Sequence, residues 1–152
     1  MSVRSLLRHG VPAAVGGGAV KELTVVQKQR EFAELVGQTI VKVEIIHQRE
    51  MVFTLENTER ARLYHDQACC EDVLIEDISG NLDDLVGSPI LMAEEATSNE
   101  NPPGVPVTVT EYQESFTWTF YKMATIKGYV TIRWYGQSNG YYSECVAFDG
   151  TW

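Results

Sequence analysis

Residues 117–148 read TWTFYKMATIKGYVTIRWYGQSNGYYSECVAF, and their period-two alternation decides the fold class. Phe116, Trp118 and Phe120 alternate with Thr117, Thr119 and Tyr121, and Val130, Ile132 and Trp134 alternate with Tyr129, Thr131, Arg133 and Tyr135. Successive side chains of a strand point to opposite faces, so the pattern predicts two strands, each with one core face and one amphipathic face. Gly136 to Gly140 reads as a polar turn, followed by the Tyr141-Tyr142 pair. A guanidinium beside aromatic rings and an Asn-Gly turn suits a flat, charged ligand. Rings stack on rings, arginine holds phosphate through paired hydrogen bonds, and Asn or Ser reads a ring edge. The plainer reading is an aromatic-rich hairpin whose rings only pack.

Upstream, residues 97–111 are rich in Ser, Asn, Glu, Pro and Gly, which predicts an exposed loop. Asn81 is placed to cap one short helix near 81–87, with Asp83 and Asp84 favourable in its first turn and Gly87 closing it. Alternating apolar residues predict strands at Ile40–Ile46, Met51–Leu55 and Ala61–Tyr64, an antiparallel meander with a turn at Asn57-Thr58-Glu59. The run Val73 to Ile78 fits a strand or a short helix, and strand is the preferred reading. Leu23, Val26, Phe32, Leu35 and Val36 have helical spacing, so an N-terminal amphipathic helix is expected from Lys21, ended by Gly37. Residues 1–20 read as a flexible leader. The expectation is therefore an α+β protein, mainly antiparallel β-sheet (meander plus C-terminal hairpin strands), in a single domain at 21–152.

Composition narrows the function. A chain of 152 residues, 44% of them hydrophobic, can bury a proper core without staples. Its net charge of −9 argues against a duplex nucleic acid partner, which needs a clustered basic face. A small anion needs only two or three local cations. An acidic surface can also imitate nucleic acid and block a DNA-binding partner, although it serves solubility in the first place. The segment 11–20 is too short and too glycine-rich to span a bilayer, and nothing resembles a secretory signal, so no membrane association and a cytoplasmic location are expected.

Catalytic signals are weak. His65, Cys69 and Cys70, with Cys145 or His47, invite a zinc reading, but adjacent cysteines make a poor chelating pair. Nothing marks either as an activated thiolate, so small buried cysteines beside a hydrogen-bonded histidine are expected. Glu76-Asp77, Asp83-Asp84 and Glu94-Glu95 have ordinary explanations at strand ends, a helix start and a sheet edge. The HExxH pattern, the phosphate-binding glycine loop and the nucleophile elbow are all missing from the sequence. Accordingly no catalytic residue, no metal and no cofactor is expected.

The stretch YHDQACCEDVLIEDISGNLDDLVGSPILMAEE, followed by TWTFYKMATIKGYVTIRWYGQSNGYYSECV, resembles small phage and prophage proteins of the first Thoeris anti-defence family, which act as sponges for immune-signal nucleotides. The resemblance covers about residues 37–148. It implies an α+β homo-oligomer, a dimer or a dimer-based higher assembly, acting in the cytoplasm of an infected bacterial host without a catalytic step. The implied ligand is a cyclic ADP-ribose isomer, with cyclic oligonucleotides as further candidates, bound at subunit interfaces. The matching positions for its arginine, stacking-aromatic and asparagine roles are Arg133, one of Phe116, Tyr121 or Tyr135, and Asn139. Arg60 and Arg62 are the nearest candidates for a second arginine. The competing expectation is an acidic phage inhibitor that docks directly on a host defence protein, motivated by the acidic surface and the flexible Ser98 to Pro106 loop.

Overall fold

A computed structural model describes residues 29–152, and these form two four-stranded antiparallel sheets around one core. The strands are β1 (Ile40–Ile46), β2 (Glu50–Leu55), β3 (Arg60–Tyr64), β4 (Glu71–Ser79), β5 (Met92–Ser98), β6 (Ser115–Thr125), β7 (Gly128–Ser138) and β8 (Ala147–Gly150). The first sheet has the order β1-β2-β3-β8 and the second β4-β7-β6-β5. The meander expected at 40–64 is present, and the 73–78 run is a strand.

The alternation explains the packing. Met51, Phe53, Leu55, Ala61, Leu63 and Phe148 point inward from the first sheet, and Val73, Ile75, Tyr121, Met123, Val130, Ile132 and Trp134 from the second. Pairing of Thr125 with Gly128 across the hairpin turn fixes the β6–β7 register, which sets Trp118 against Tyr135 and Phe120 against Arg133. One irregularity lies beside Arg133. Register shifts between Ile75 and Asp77 in β4, leaving Glu76 as the extra residue of a bulge.

The helical expectation is corrected. Phe32–Leu35 is a single 3-10 turn, preceded by extended backbone at Glu31 and followed by Val36 and by Gly37 at φ +92°. Arg30 is held outside any helix by donating to the Trp152 carbonyl at 2.7 Å. Residues 21–28, the rest of the expected helix, and the leader at 1–20 lie outside the described residues. The short helix near 81–87 is likewise one 3-10 turn, Leu82–Leu85. Asn81 caps it by accepting from the Asp83 N–H at 3.0 Å, and the Gly87 N–H then bonds the Ile40 carbonyl, which pulls the chain out of helical geometry. The described residues are thus a two-sheet all-β structure. None of its helical turns is long and apolar enough to cross a membrane.

Candidate functional site

The outer face of the second sheet carries Phe116, Trp118 and Phe120 from β6, Arg133, Tyr135 and Gln137 from β7, and Asp72, Leu74 and Glu76 from β4. An outward-facing tryptophan is ordinarily wet, but here Trp118 is fully buried and Tyr135 is 6% exposed. The cause is the connection between β5 and β6. Expected as an exposed loop, it has many exposed residues, yet it folds back over the sheet as a roof.

Gln137 holds that roof. Its side-chain oxygen accepts from the Thr110 N–H at 3.0 Å and from the Gln113 amide at 2.8 Å, while its amide donates to the Thr108 carbonyl at 2.9 Å. Gln113 also donates to the Tyr135 hydroxyl at 2.7 Å, and Trp118 Nε1 donates to Asn101 at 3.0 Å. Burial raises the Tyr135 hydroxyl above its ordinary pKa, opposed by the Gln113 bond and reinforced by the Glu144 charge. Under the roof lies a cavity of about 320 Å³, lined by Trp118, Tyr135, Gln137, Leu74, Asp72, Glu76 and residues 106–108.

Arg133 stands beside this cavity. Its Nε donates to Glu76 at 2.5 Å, a second nitrogen lies 3.8 Å from Asp77, and its guanidinium carbon is 5.6 Å from the Trp118 ring centre. The β4 bulge is what brings two consecutive carboxylates to one arginine. Glu76 and Asp77 are therefore partners of Arg133 and not merely solvated strand-end charges.

The other expected ligand residues are dispersed. Tyr135 and Phe116 neighbour one another, with ring centres 6.1 Å apart, and belong to the Arg133 face. Tyr121 points the opposite way, into the core, where Phe32 packs edge-on at 4.7 Å and its hydroxyl has no hydrogen-bond partner. Burial, with the nearby Glu95 carboxylate, raises that hydroxyl's pKa strongly. Asn139 is spent locally, accepting from the Tyr141 N–H at 3.0 Å. The turn is shorter than Gly136–Gly140 implied, because Gly136, Gln137 and Ser138 continue β7 and are buried.

Arg60 and Arg62 occupy the outer face of the first sheet, across the core from Arg133. There Arg62 pairs with Glu50 at 3.1 Å and Asp149 at 3.6 Å and stacks 3.9 Å over Tyr64. Together with Thr151 and Val52, the two arginines line a second cavity of about 320 Å³. Within one protomer these residues cannot share a pocket with Arg133.

Sequence reasoning missed Trp118 and Gln137 as site residues. Both were accessible in principle, since locating the two-residue turn at Ile126-Lys127 fixes the register that sets Trp118 beside Tyr135 and Gln137 beside Phe116.

The His65–Glu71 segment forms a separate polar end of the core. Glu71 is 2% exposed and accepts from the Ala68 and Cys69 N–H groups and from His65, the last at 3.2 Å. The Ala68 bond, in opposition to burial and with help from Cys69 and His65, holds its carboxyl below the usual range. His65 is hydrogen-bonded as expected, but the cysteines are not buried. Cys69 is exposed and Cys70 half-buried, their sulfurs meeting as a vicinal disulfide, and Cys145 is free and exposed. Glu144 closes the same end, accepting from Thr117 at 2.8 Å and Ser138 at 2.5 Å. Among the described residues no group of three or more His, Cys, Asp or Glu side chains is placed to hold a metal ion.

The fold and its roofed face define an all-β protein with an aromatic cavity bordered by an ion-paired arginine. The chain belongs to the family described as a domain of unknown function, DUF7448, whose model matches residues 33–148 and so spans both sheets from the first 3-10 turn to Phe148. No curated protein and no solved structure matches the chain.

Proposed function

We propose that the protein is a phage anti-defence binding protein that takes up a cyclic ADP-ribose-type signalling nucleotide, or a cyclic oligonucleotide, and holds it without cleaving it. The observation that carries this reading is the roofed cavity, with the Trp118 and Tyr135 rings in its wall and Arg133 at its border. Stacking contributes about 1–3 kcal/mol per base and each charge-assisted bond to phosphate about 1.5–3 kcal/mol. A few such contacts in a preorganised site reach nanomolar affinity. At about 320 Å³ the cavity sits at the lower end of ligand pockets, about 300–1,000 Å³, so one ring system enters and the rest of a dinucleotide lies outside it. Phosphate must compete with Glu76 for the Arg133 fork. A second copy of the chain supplying more cations would help it do so, in line with a homo-oligomer.

The test is to load the purified chain with a cyclic ADP-ribose isomer, remove free ligand, release the bound fraction by heating and weigh it by mass spectrometry. Intact ligand, with at least tenfold weaker retention by Arg133→Ala, supports the reading. A hydrolysed product, or no retention of any cyclic nucleotide, overturns it. One observation favours the alternative, an acidic inhibitor docked on a host defence protein: Arg49, Arg62 and Arg133 are all matched to carboxylates of their own chain. On that reading a single host protein is captured and no nucleotide raises the melting temperature.

A further inference from the structure

The roofed cavity has two polar ends, and only one of them holds Arg133. Strand register places Asp77 opposite Arg133 and Asp72 opposite Gln137, and the two pairs lie about 13 Å apart along β7 at the rise of an extended strand. Asp72 lines the cavity at the far end and is partly buried. Arg49 pairs with it there: one guanidinium nitrogen lies 2.7 Å from Oδ1, and another donates to the Val73 carbonyl at 3.1 Å. A carboxylate has about four acceptor sites, and Arg49 is the only partner of this one among the described residues. The same end is poor in donors. Gln137 spends its oxygen on Thr110 and Gln113 and one amide proton on the Thr108 carbonyl, and Pro106 in the roof has no N–H. One proton of Gln137 Nε2 is left.

Such an end discriminates among nucleobases. On its pairing edge guanine alone carries two adjacent donors, the ring N1–H and the exocyclic amino group, with the O6 acceptor beside them. Adenine and cytosine each set one N–H beside a bare ring nitrogen, and uracil sets one between two carbonyls. A phosphate at Arg133 leaves the length of a ribose and a purine to reach Asp72. We infer that Asp72 reads the base that enters the cavity and selects guanine, accepting from N1–H and the amino group at once, with the remaining Gln137 proton on O6. The ligand class narrows to cyclic oligonucleotides that contain guanine, and the inference rests on the nucleotide reading above. Adenine satisfies the carboxylate once at most and turns its bare nitrogen toward an acceptor. A paired contact of this kind discriminates by about tenfold or more.

Isothermal titration calorimetry of the full chain with cyclic di-GMP and cyclic di-AMP tests it, because the two probes share ring, sugars and phosphates and differ only in their bases. The wild type is expected to bind cyclic di-GMP about tenfold or more tightly than cyclic di-AMP. Asp72→Asn should erase that preference. It should also bind cyclic di-AMP more tightly than the wild type does, since an amide accepts from the adenine amino group and donates to its ring nitrogen. A gain of that kind cannot come from a folding defect. Equal affinities in the wild type, or a preference that survives Asp72→Asn, would overturn the assignment and leave the nucleotide reading standing. So would failure of both cyclic dinucleotides to bind while the cyclic ADP-ribose isomer is retained. Failure of all three sinks the nucleotide reading and this assignment with it.

Discussion

The two outer faces of the sandwich carry the same kinds of side chain and differ in what lies over them. On the first sheet Arg62 sits between Glu50 and Asp149 above Tyr64, and on the second Arg133 sits between Glu76 and Asp77 beside Trp118. The bare arginine side chain is 43% exposed and the one beside the roof 22%. Burial of the second set comes from residues 99–114 and the Gln137 bonds that hold them down, so an ordinary polar strand face becomes a cavity because a loop closes over it.

The contrast can be broken most severely at Trp118. Trp118→Ala empties the largest outward-facing side chain under the roof and should cost about 3–5 kcal/mol in urea unfolding. Val52→Ala on the bare face should cost less than about 1 kcal/mol. Next is Glu71, which begins the strand that borders the cavity. Glu71→Ala leaves two backbone N–H groups and His65 without their acceptor and should cost about 3 kcal/mol at neutral pH.

The same carboxylate sharpens the contrast through acid. Its folded pKa is depressed below the ordinary value of 4.5, so its contribution is complete above that value and is lost as pH falls through the lower, folded one. Melting temperature followed downward from pH 5 should therefore drop in the wild type, and the drop should flatten in Glu71→Ala.

Third in size is Gly136→Ala, where an added Cβ meets the Glu144 carbonyl oxygen at 2.7 Å. Displacing the segment that closes the polar end of the core should cost about 2 kcal/mol, with faster amide exchange at residues 139–146. Smallest of all is Arg62→Ala. An exposed ion pair contributes at most about 1 kcal/mol, so its unfolding midpoint should stay close to wild type.

Much of the architecture was legible because period-two alternation is a direct imprint of which side faces the core. That is why every strand from Ile40 to Tyr64 and from Phe116 to Tyr135 could be read. The helical readings hold only as single turns among the described residues: Phe32 with Leu35, and Leu82 with Leu85 behind the Asn81 cap, satisfy the spacing of a helix within one 3-10 turn, and positive-φ glycines follow both. Arg133 and Tyr135 were legible together because they lie two residues apart on one strand face, whereas Phe116, named only through the resemblance, joins them through the β6–β7 register. The roof was hidden, since a segment rich in Pro and Asn reads as solvated whether or not it folds back. So was the partner of Arg133, which depends on a bulge that sequence period does not announce.

That bulge has a consequence for how the chain can change length over time. Glu76 is the extra residue, so removing it would leave Ile75 and Asp77 consecutive opposite Trp134 and Arg133, keeping Val73, Ile75 and Ile78 inward and taking from Arg133 one of its two carboxylates. Deletion of Glu76 should accordingly be absorbed by the core, as should deletions at the exposed tip of the 99–114 connection, while an insertion beside Val73 or Ile75 should not, and a single-codon insertion and deletion series across both segments would trace the boundary between them.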